Sequence, residues 1–359
     1  MKIVVFSDLH AHPFKPYATV LANGMNSRLA HAVSCVKQVL NIAKREKADL
    51  VLFGGDMFHQ RRTIAVPAFN AIYEAFAQFA VARIPVVMIH GNHDQADRNG
   101  DAHSLYTFRT LATVCDSPGW VTVSGRSGAP YAILGLPYTE NVEHVREVVR
   151  QPCPLPQAKP LLLAHLGVQG ATLGSDFIYS NPHDVTLSDL NLDAFDAAFL
   201  GHYHKHQQLA ERCWYVGAPL QHTWGDVGQS RGCVVYDVDD RTVTHVPLEA
   251  PQFVVLEEGE KAPVVGSYVR IEDDRAWPDE KREEVRARLD AASVEVVPPK
   301  SKPPVKAARL EINPSSSLSD ALVSYVVSGV QPYDGLDDGY LLQMGSEILA
   351  SVEGTDDAV

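Results

Sequence analysis

Short apolar runs that end in small or polar residues recur along the first two thirds of the chain. The runs at residues 2–7, 49–53 and 84–89 are rich in aliphatic and β-branched residues, which favours buried strands. Between them, apolar residues recur at helical spacing over residues 27–47 and 66–82. The order strand, helix, strand predicts parallel pairing, so the pattern indicates an α/β fold.

The same pattern continues to about residue 236. Further strands are predicted at residues 131–136, 160–165, 196–200, 214–216 and 233–236, and helices near 104–114 and 142–150. The stretch from Gly167 to Ser188 is rich in Gly, Ser, Asn and Asp, which predicts a surface loop at the wall of a cleft.

Residues of metal-binding type follow five of these apolar runs, namely Asp8 and His10, Asp56, Asn92 and His93, His165, and His202 and His204. A single histidine in such a place is usually structural, but five successive strand ends make coincidence improbable. Ligands collect at the carboxyl ends of strands in open α/β sheets, so a metal site is predicted there. Mixed nitrogen and oxygen ligands suit Mn²⁺, Fe or Zn²⁺ better than Mg²⁺. The ligands are too many for one ion, which predicts two cations bridged by a carboxylate.

The segment Gly91-Asn92-His93-Asp94 follows the third apolar run directly. Asn92 offers an amide oxygen to a metal, His93 an imidazole that can transfer protons, and Asp94 a carboxylate that can orient this imidazole from behind. In isolation, the same four residues are also typical of a turn whose side chains bond to their own backbone. The other strand ends favour the interpretation as a site.

Length and composition limit the class of protein. At 359 residues, the chain exceeds the size at which one core usually keeps growing. No run approaches the ~18 apolar residues of a membrane helix, and the first run is too short for a secretory signal, so a cytoplasmic protein is expected. Five cysteines without a Cys-x-x-Cys pair argue against disulfides and zinc knuckles. The net charge of −13 requires any nucleic-acid contact to use local basic patches or a partner.

The pattern changes near residue 251. Strands near 268–271 and 294–297, with a charged helix at 278–292 between them, predict a small α/β appendage. A proline-rich segment at 298–304 follows, either as a linker or as a loop of the appendage. We therefore expect a first domain at 1–250, a second at 251–312 and C-terminal helices with an acidic tail at 313–359.

The two predicted C-terminal helices carry apolar stripes that must be covered, formed by Leu318, Leu322, Tyr325 and Val326 and by Leu341, Leu342, Ile348 and Leu349. They can complete the core of this chain or bind a groove of another chain, and the preceding linker favours the second use.

The motifs Asp8-x-His10, Gly55-Asp56, Gly91-Asn92-His93-Asp94, His165 and Gly201-x2-His204 resemble those of the calcineurin-like metallophosphoesterases. This resemblance implies a two-sheet α/β/β/α sandwich. Gly55-Asp56-x-Phe58-His59, together with the segment from Tyr215 to Pro219 and Arg231-Gly232, is similar to the nuclease subunit of SbcCD-type DNA-repair and phage recombination complexes. The sequence departs from that pattern at His12, where relatives often have Gly, and at Ala218, where Ser is common.

The resemblance implies a role for each motif residue. One metal ion would be held by Asp8, His10 and His204, a second by Asn92, His165 and His202, and Asp56 would bridge them. His93 would act as general acid toward the departing oxygen, with its tautomer fixed by Asp94. His59 would steady the phosphate, although a plain loop histidine is the alternative.

The function implied is a Mn²⁺-dependent DNA exonuclease and endonuclease with two Mn²⁺, or Fe or Zn²⁺ in their place. The implied partners are DNA, a coiled-coil ATPase subunit and a second copy in a homodimer, with a capping domain at 251–312. Candidate DNA contacts are Arg61, Arg62, Arg98, Arg109 and Lys205, for each of which a solvated face is the alternative. Phosphatase or cyclic-nucleotide phosphodiesterase activity is disfavoured by Phe58, His59 and the appendage. A non-catalytic scaffold is disfavoured because no ligand is missing.

Overall fold

The computed structural model describes residues 1–97, 100–155, 160–173, 177–178, 181, 183–257, 259–262, 264–299, 322–323, 326 and 337–353. Met1–Pro298 form one compact unit and Pro299–Val359 a second. Arg98 lies outside the described residues, and so do Leu318 and Tyr325 of the first predicted C-terminal helix.

The first unit contains seventeen described strands and four α-helices. The strands are β1 (Lys2–Phe6), β2 (Leu50–Phe53), β3 (Val86–Ile89), β4 (Thr113–Cys115), β5 (Gly119–Ser124), β6 (Pro130–Leu136), β7 (Pro160–His165), β8 (Thr172–Leu173), β9 (Phe177–Ile178), β10 (Ala197–Gly201), β11 (Gln207–Ala210), β12 (Cys213–Tyr215), β13 (Gly232–Asp237), β14 (Thr242–Pro247), β15 (Phe253–Leu256), β16 (Tyr268–Glu272) and β17 (Ser293–Val297). The helices are α1 (Ser27–Arg45), α2 (Val66–Val81), α3 (Val142–Val148) and α4 (Asp279–Arg288).

The first sheet has the strand order β14-β13-β1-β2-β3-β4. Strands β1 to β4 are parallel, and β13 runs antiparallel to β1. Because side chains alternate along a strand, Val4 and Phe6 pack under α1 and α2, whereas Ile3 and Val5 face the second sheet. Burial on both faces explains why β1 reads as a continuous apolar run.

The second sheet has the order β11-β12-β10-β7-β6-β5, with β6, β7, β10 and β12 parallel. Leu161, Leu163 and Phe199 lie in the layer between the two sheets, and α3 covers the opposite face through Val145 and Val148. The two sheets with helices outside confirm the predicted α/β/β/α sandwich.

The segment predicted as a helix near 104–114 is instead a 3₁₀ turn at Ser104–Thr110 that leads into β4. The predicted loop between β7 and β10 contains the short hairpin of β8 and β9. Both differences concern short elements, whose lengths depend on tertiary packing more than on local periodicity.

The predicted appendage is a parallel sheet in the order β15-β16-β17, covered by α4. Its own small core contains Val269, Ile271 and Val285. The sheet belongs to the same compact unit as the sandwich, so the boundary predicted at residue 250 falls inside that unit. Whether residues 251–312 act as a separate domain stays a prediction.

The second unit contains helix α5 (Asp338–Glu353), which includes the predicted helix at 341–351. Gly345 of this helix packs closely against the side chain of Leu322. Among the described residues, no helix combines the length and the apolar character that a membrane span requires.

Candidate metal centre

The carboxyl ends of β1, β2 and β3 in one sheet meet those of β7 and β10 in the other. The loops after β1 and β2 are tied together by the backbone amides of Asp8 and His10, which donate to the carbonyls of Gly55 and Asp56, both at 2.9 Å. This edge brings together all seven residues that the family resemblance implied as metal ligands, Asp8, His10, Asp56, Asn92, His165, His202 and His204.

One half of the cluster is formed by Asp8, His10 and His204, whose nitrogen and oxygen atoms lie within 4.8 Å of one another. The Nε2 atoms of His10 and His204 are 3.1 Å apart, and His10 Nε2 is 3.4 Å from Asp56 Oδ2. Asp8 is fully buried, and burial raises the pKa of its carboxyl group. A buried carboxylate beside two imidazoles is a donor set that suits a divalent cation.

The other half is formed by His165, Asn92 and His202. His165 Nδ1 donates to the carbonyl of Gly54 at 2.7 Å, so in the neutral ring Nε2 carries a lone pair. This Nε2 faces Asn92 Oδ1 at 3.2 Å and Asp56 Oδ2 at 3.5 Å. His202 Nδ1 lies 3.1 Å from the same Asn92 oxygen.

Nitrogen and oxygen atoms that can accept hydrogen bonds therefore face one another, an arrangement that favours a positive charge between them. Burial disfavours the imidazolium of His165, but the neighbouring Asp56 carboxylate outweighs burial and raises the pKa of His165 to about 9. A metal ion can supply the same positive charge in place of that proton. Asp56 faces both halves of the cluster, so the residues present fit two cations with Asp56 between them. The identity of the metal stays a prediction.

The backbone at this edge is strained. Asp8, His10 and Asp56 have φ values of 56°, 45° and 56°, and His202 has a φ of 105°. Residues other than glycine rarely adopt such values, which cost roughly 1–3 kcal/mol each and persist where the surrounding structure imposes them. All four of these residues belong to the cluster.

Asp94 does not orient the imidazole of His93, which corrects the role suggested by the sequence. Its two oxygens accept from the amides of Met57 at 3.1 Å and Gly91 at 3.0 Å and from the hydroxyl of Ser104 at 2.9 Å. Asp94 thus joins the loops after β2 and β3, and its burial together with the nearby Asp56 raises its pKa to about 6.

His93 is instead held by the backbone of His59, whose carbonyl accepts from His93 Nδ1 at 2.6 Å. A carbonyl oxygen can only accept a hydrogen bond, so His93 Nδ1 carries a proton. Nε2 is therefore the ring nitrogen that can bind or release a proton. The His93 ring stands perpendicular to that of His10 at a centroid distance of 4.7 Å. His93, His59 and His10 also have ring nitrogens within 4.8 Å of one another, so His93 lies directly beside the candidate ligands.

A cavity of about 280 Å³ opens over the cluster, lined by His10, Phe14, Asp56, His59, Asn92, His93, His202, His204, His222 and Thr223. His59 lies at its rim, 4.8 Å from the ring of Phe14 and 5.5 Å from that of His93. A substrate that enters the cavity meets the metal-binding atoms and the imidazoles of His59 and His93 together.

The family model of the calcineurin-like phosphoesterases matches residues 1–206, more than half of the chain. The chain belongs to this family. The phosphoesterase is also similar to two solved structures, Yfce, a phosphoesterase from E. coli, and a dimetal phosphatase from Danio rerio. Yfce is 14% identical with a TM-score of 0.29, over 69% of this chain and 100% of that one. The Danio rerio phosphatase is 11% identical with a TM-score of 0.39, over 66% of this chain and 91% of that one.

Gly91 leaves the space in which the Asp56 carboxylate of the phosphoesterase sits. A Cβ atom at this position would overlap Asp56 Oδ1 and would lie 2.6 Å from His165 Cε1. We expect Gly91→Ala to lower metal affinity about 10- to 100-fold, because the Asp56 carboxylate must move. Gly119→Ala is the matched control, since no atom lies within 4 Å of a Cβ there. Unchanged metal binding by calorimetry in Gly91→Ala would contradict this prediction.

Sequence reasoning missed His222, which lines the cavity of the phosphoesterase. Its Nε2 donates to the backbone carbonyl of Asp8 at 3.1 Å, and its ring lies 5.2 Å from those of His10 and His204. Burial, with a smaller effect of His204, lowers its pKa to about 3, so the ring is neutral at pH 7. His222 does not directly follow an apolar strand end. The sequence feature that could have indicated it is its position three residues after the Tyr215-to-Pro219 motif.

The four candidate DNA-binding residues that the structure describes are all at least partly exposed. Arg61 and Arg62 are exposed beyond His59, and Arg62 Nε donates to the carbonyl of Ala96 at 3.2 Å. Arg109 forms an ion pair with Asp116 at 2.5 Å and covers the ring of Tyr106. Lys205 is partly exposed next to His204. Contact of any of these residues with DNA stays a prediction.

Proposed function

We propose that this phosphoesterase is a Mn²⁺-dependent DNA nuclease with exonuclease and endonuclease activity. We further propose that it is a subunit of an ATPase–nuclease complex for double-strand-break repair or recombination. The observation that carries the proposal is the appended sheet of β15, β16 and β17, which packs against the segment that lines the cavity. An enzyme for small phosphate esters has no need of such a module beside its catalytic centre.

The contact between the module and the site is short and aromatic. Thr223 lines the cavity, and the ring of the next residue, Trp224, lies 4.9 Å from that of Phe253 in β15. The guanidinium of Arg270 in β16 lies 3.7 Å from the centre of the Trp224 ring. A module anchored one residue from the cavity wall extends the surface on which a long polymer can lie, which favours a nucleic acid as substrate.

The residues of the cluster divide the chemistry between them. Asp8, His10 and His204, with Asn92, His165, His202 and the bridging Asp56, would hold the two cations. When bound, such ions stabilise the negative charge that develops on the phosphoryl oxygens. His93 donates a proton from Nε2 to the departing sugar oxygen, while the His59 carbonyl holds Nδ1. The imidazole of His59 contacts a phosphate oxygen from the cavity rim.

A substrate panel tests the proposal. The purified protein with Mn²⁺ is incubated with linear duplex DNA, circular single-stranded DNA, a p-nitrophenyl phosphomonoester and a phosphopeptide. We expect cleavage of both DNAs, of the circle through endonuclease activity, and little hydrolysis of the monoester and the peptide. Hydrolysis of the monoester or peptide without DNA cleavage would make the chain a phosphatase. Absence of any Mn²⁺-dependent hydrolysis would favour a scaffold.

The C-terminal segment provides the test of the ATPase partner. We expect a chain that lacks residues 315–359 to retain Mn²⁺-dependent nuclease activity but to lose association with a coiled-coil ATPase subunit. The reason is that the candidate ligands all lie in the unit Met1–Pro298, whereas helix α5 belongs to the second unit. Pull-down and nuclease assays on the two forms measure the difference. A large fall in melting temperature with loss of activity would show that the segment completes the fold instead.

A further inference from the structure

Arg28, in the first turn of α1, is a buried cation next to the cavity wall. Its side chain is only 8% exposed, and Nη2 donates to the carbonyl of His222 at 2.8 Å. Its guanidinium lies 4.4 Å from the centre of the Phe14 ring and 5.6 Å from the rings of Phe253 and Tyr268. In the part of the chain that the structure describes, no carboxylate pairs with Arg28. Its charge is therefore balanced only by ring faces and one carbonyl dipole.

This charge lies behind a distinct part of the cavity rim. Phe14 lines the cavity, and its ring is 4.9 Å from that of His12 and 4.8 Å from that of His59. The rings of His12 and His59 are 5.7 Å apart, and both side chains are partly accessible. We call these three side chains the Phe14 face. It presents imidazole N–H donors that are available in the neutral ring, so anion contact requires no protonation.

A buried cation without a carboxylate favours an anion on the nearest accessible surface, because little solvent screens the field between them. The Phe14 face is that surface, and it lies beside the candidate metal ligands, because Phe14 and His59 also line the cavity over them. The protein as a whole carries a net charge of −13, which repels anions, so the Phe14 face differs from the protein as a whole in favouring them.

We infer that the Phe14 face, with Arg28 behind it, binds the phosphate group next to the one that is cleaved. The inference rests on the proposed nuclease function and specifies its substrate as a strand with at least two consecutive phosphodiester groups. His12 donates a hydrogen bond to an oxygen of the neighbouring phosphate, while His59 faces the phosphate that is cleaved, and Arg28 supplies the charge that holds the neighbouring phosphate. A phosphomonoester or an isolated diester leaves this face empty.

Neutral phosphates in the substrate provide the experiment. A single-stranded oligonucleotide with one defined cleavage position is prepared in three forms, unmodified or with a methylphosphonate directly 5′ or directly 3′ of that position. A methylphosphonate removes one negative charge and keeps nearly the same shape. With Mn²⁺ and the wild-type protein, we expect one of the two modified strands to lose roughly tenfold in kcat/KM, the effect of one charge-assisted contact.

Substitutions on the protein assign this loss to the Phe14 face. Arg28→Gln and His12→Gln should each lower kcat/KM for the unmodified strand. In both variants, the methylphosphonate should lower kcat/KM by a much smaller factor than in the wild type. Arg45→Gln, an exposed arginine at the other end of α1, is the matched control and should show the full wild-type loss. His12 is partly exposed, so its substitution tests the inference even if Arg28→Gln folds poorly.

The possible results separate the two proposals. Equal cleavage of all three strands by the wild type would overturn the inference and leave the nuclease function intact. A methylphosphonate loss of the same size in wild type, Arg28→Gln and His12→Gln would also overturn it, because Arg28 would then only clamp the aromatic cluster. Hydrolysis of a p-nitrophenyl ester without cleavage of any oligonucleotide would overturn the nuclease function, and the inference with it.

Discussion

Replacement of Asp56 by alanine is expected to empty the candidate metal centre and to lower phosphoester hydrolysis by at least roughly 10³-fold. Asp56 Oδ2 lies 3.4 Å from His10 Nε2 and 3.5 Å from His165 Nε2, so this carboxylate contacts both halves of the cluster. Although burial opposes ionisation, the adjacent His165 and His10 hold the pKa of Asp56 well below its usual range. The carboxylate is therefore ionised at neutral pH.

Elemental analysis after dialysis against Mn²⁺ measures this effect directly. The wild type should retain two ions and Asp56→Ala fewer than one, with circular dichroism to show that the fold persists. Asp239→Ala removes an exposed carboxylate that pairs with the amino terminus, and it should retain the wild-type metal content. Two ions in Asp56→Ala would show that this carboxylate is dispensable and that the ligand assignment is wrong.

Substitution of His93 by glutamine should lower kcat for DNA cleavage about 10²- to 10⁴-fold without loss of metal, the range expected for one general acid. Its Nδ1 is bonded to the His59 carbonyl, and this leaves Nε2 for the departing oxygen. A p-nitrophenolate leaving group needs little protonation, because it is already a weak base. The decrease in kcat of His93→Gln should therefore be much smaller with a p-nitrophenyl phosphodiester than with DNA.

Rates for both substrates, together with metal content, distinguish the possible roles of His93. His144→Gln changes an exposed histidine on α3 and serves as the control, with no change expected in any of the three measurements. If His93→Gln empties the centre, His93 is a ligand. If both substrates lose activity equally with full metal content, His93 positions the phosphate and does not act as the acid.

The strand ends explain why much of the site could be predicted from the sequence. In β1, β2, β3, β7 and β10, the apolar run ends at a definite residue. Because these strands are parallel within their sheets, the residues that follow their carboxyl ends lie at one edge. Side chains at or just after such a strand end, such as Asp8 and His165, can therefore be assigned to one site before any distance is known. The same runs predicted a parallel α/β fold, whereas the two-sheet sandwich was implied by the resemblance to the metallophosphoesterases.

The partners of individual side chains could not be predicted in the same way. Asp94 directly follows His93, but its oxygens bond to Met57, Gly91 and Ser104 because the turn after β3 directs it inward. His222 escaped notice because it reaches Asp8 from a loop more than two hundred residues away in sequence. Both depend on the conformation of loops, and local periodicity does not encode that conformation.

The left-handed backbone at Asp8, His10, Asp56 and His202 has an evolutionary consequence. A glycine at any of these positions would relax the main chain and remove a buried polar side chain, so some inactive variants should be more heat-resistant than the natural protein. Selection for thermostability alone would therefore erode this centre first. Long-term retention of all four residues in a lineage would be a sign that hydrolysis itself is under selection.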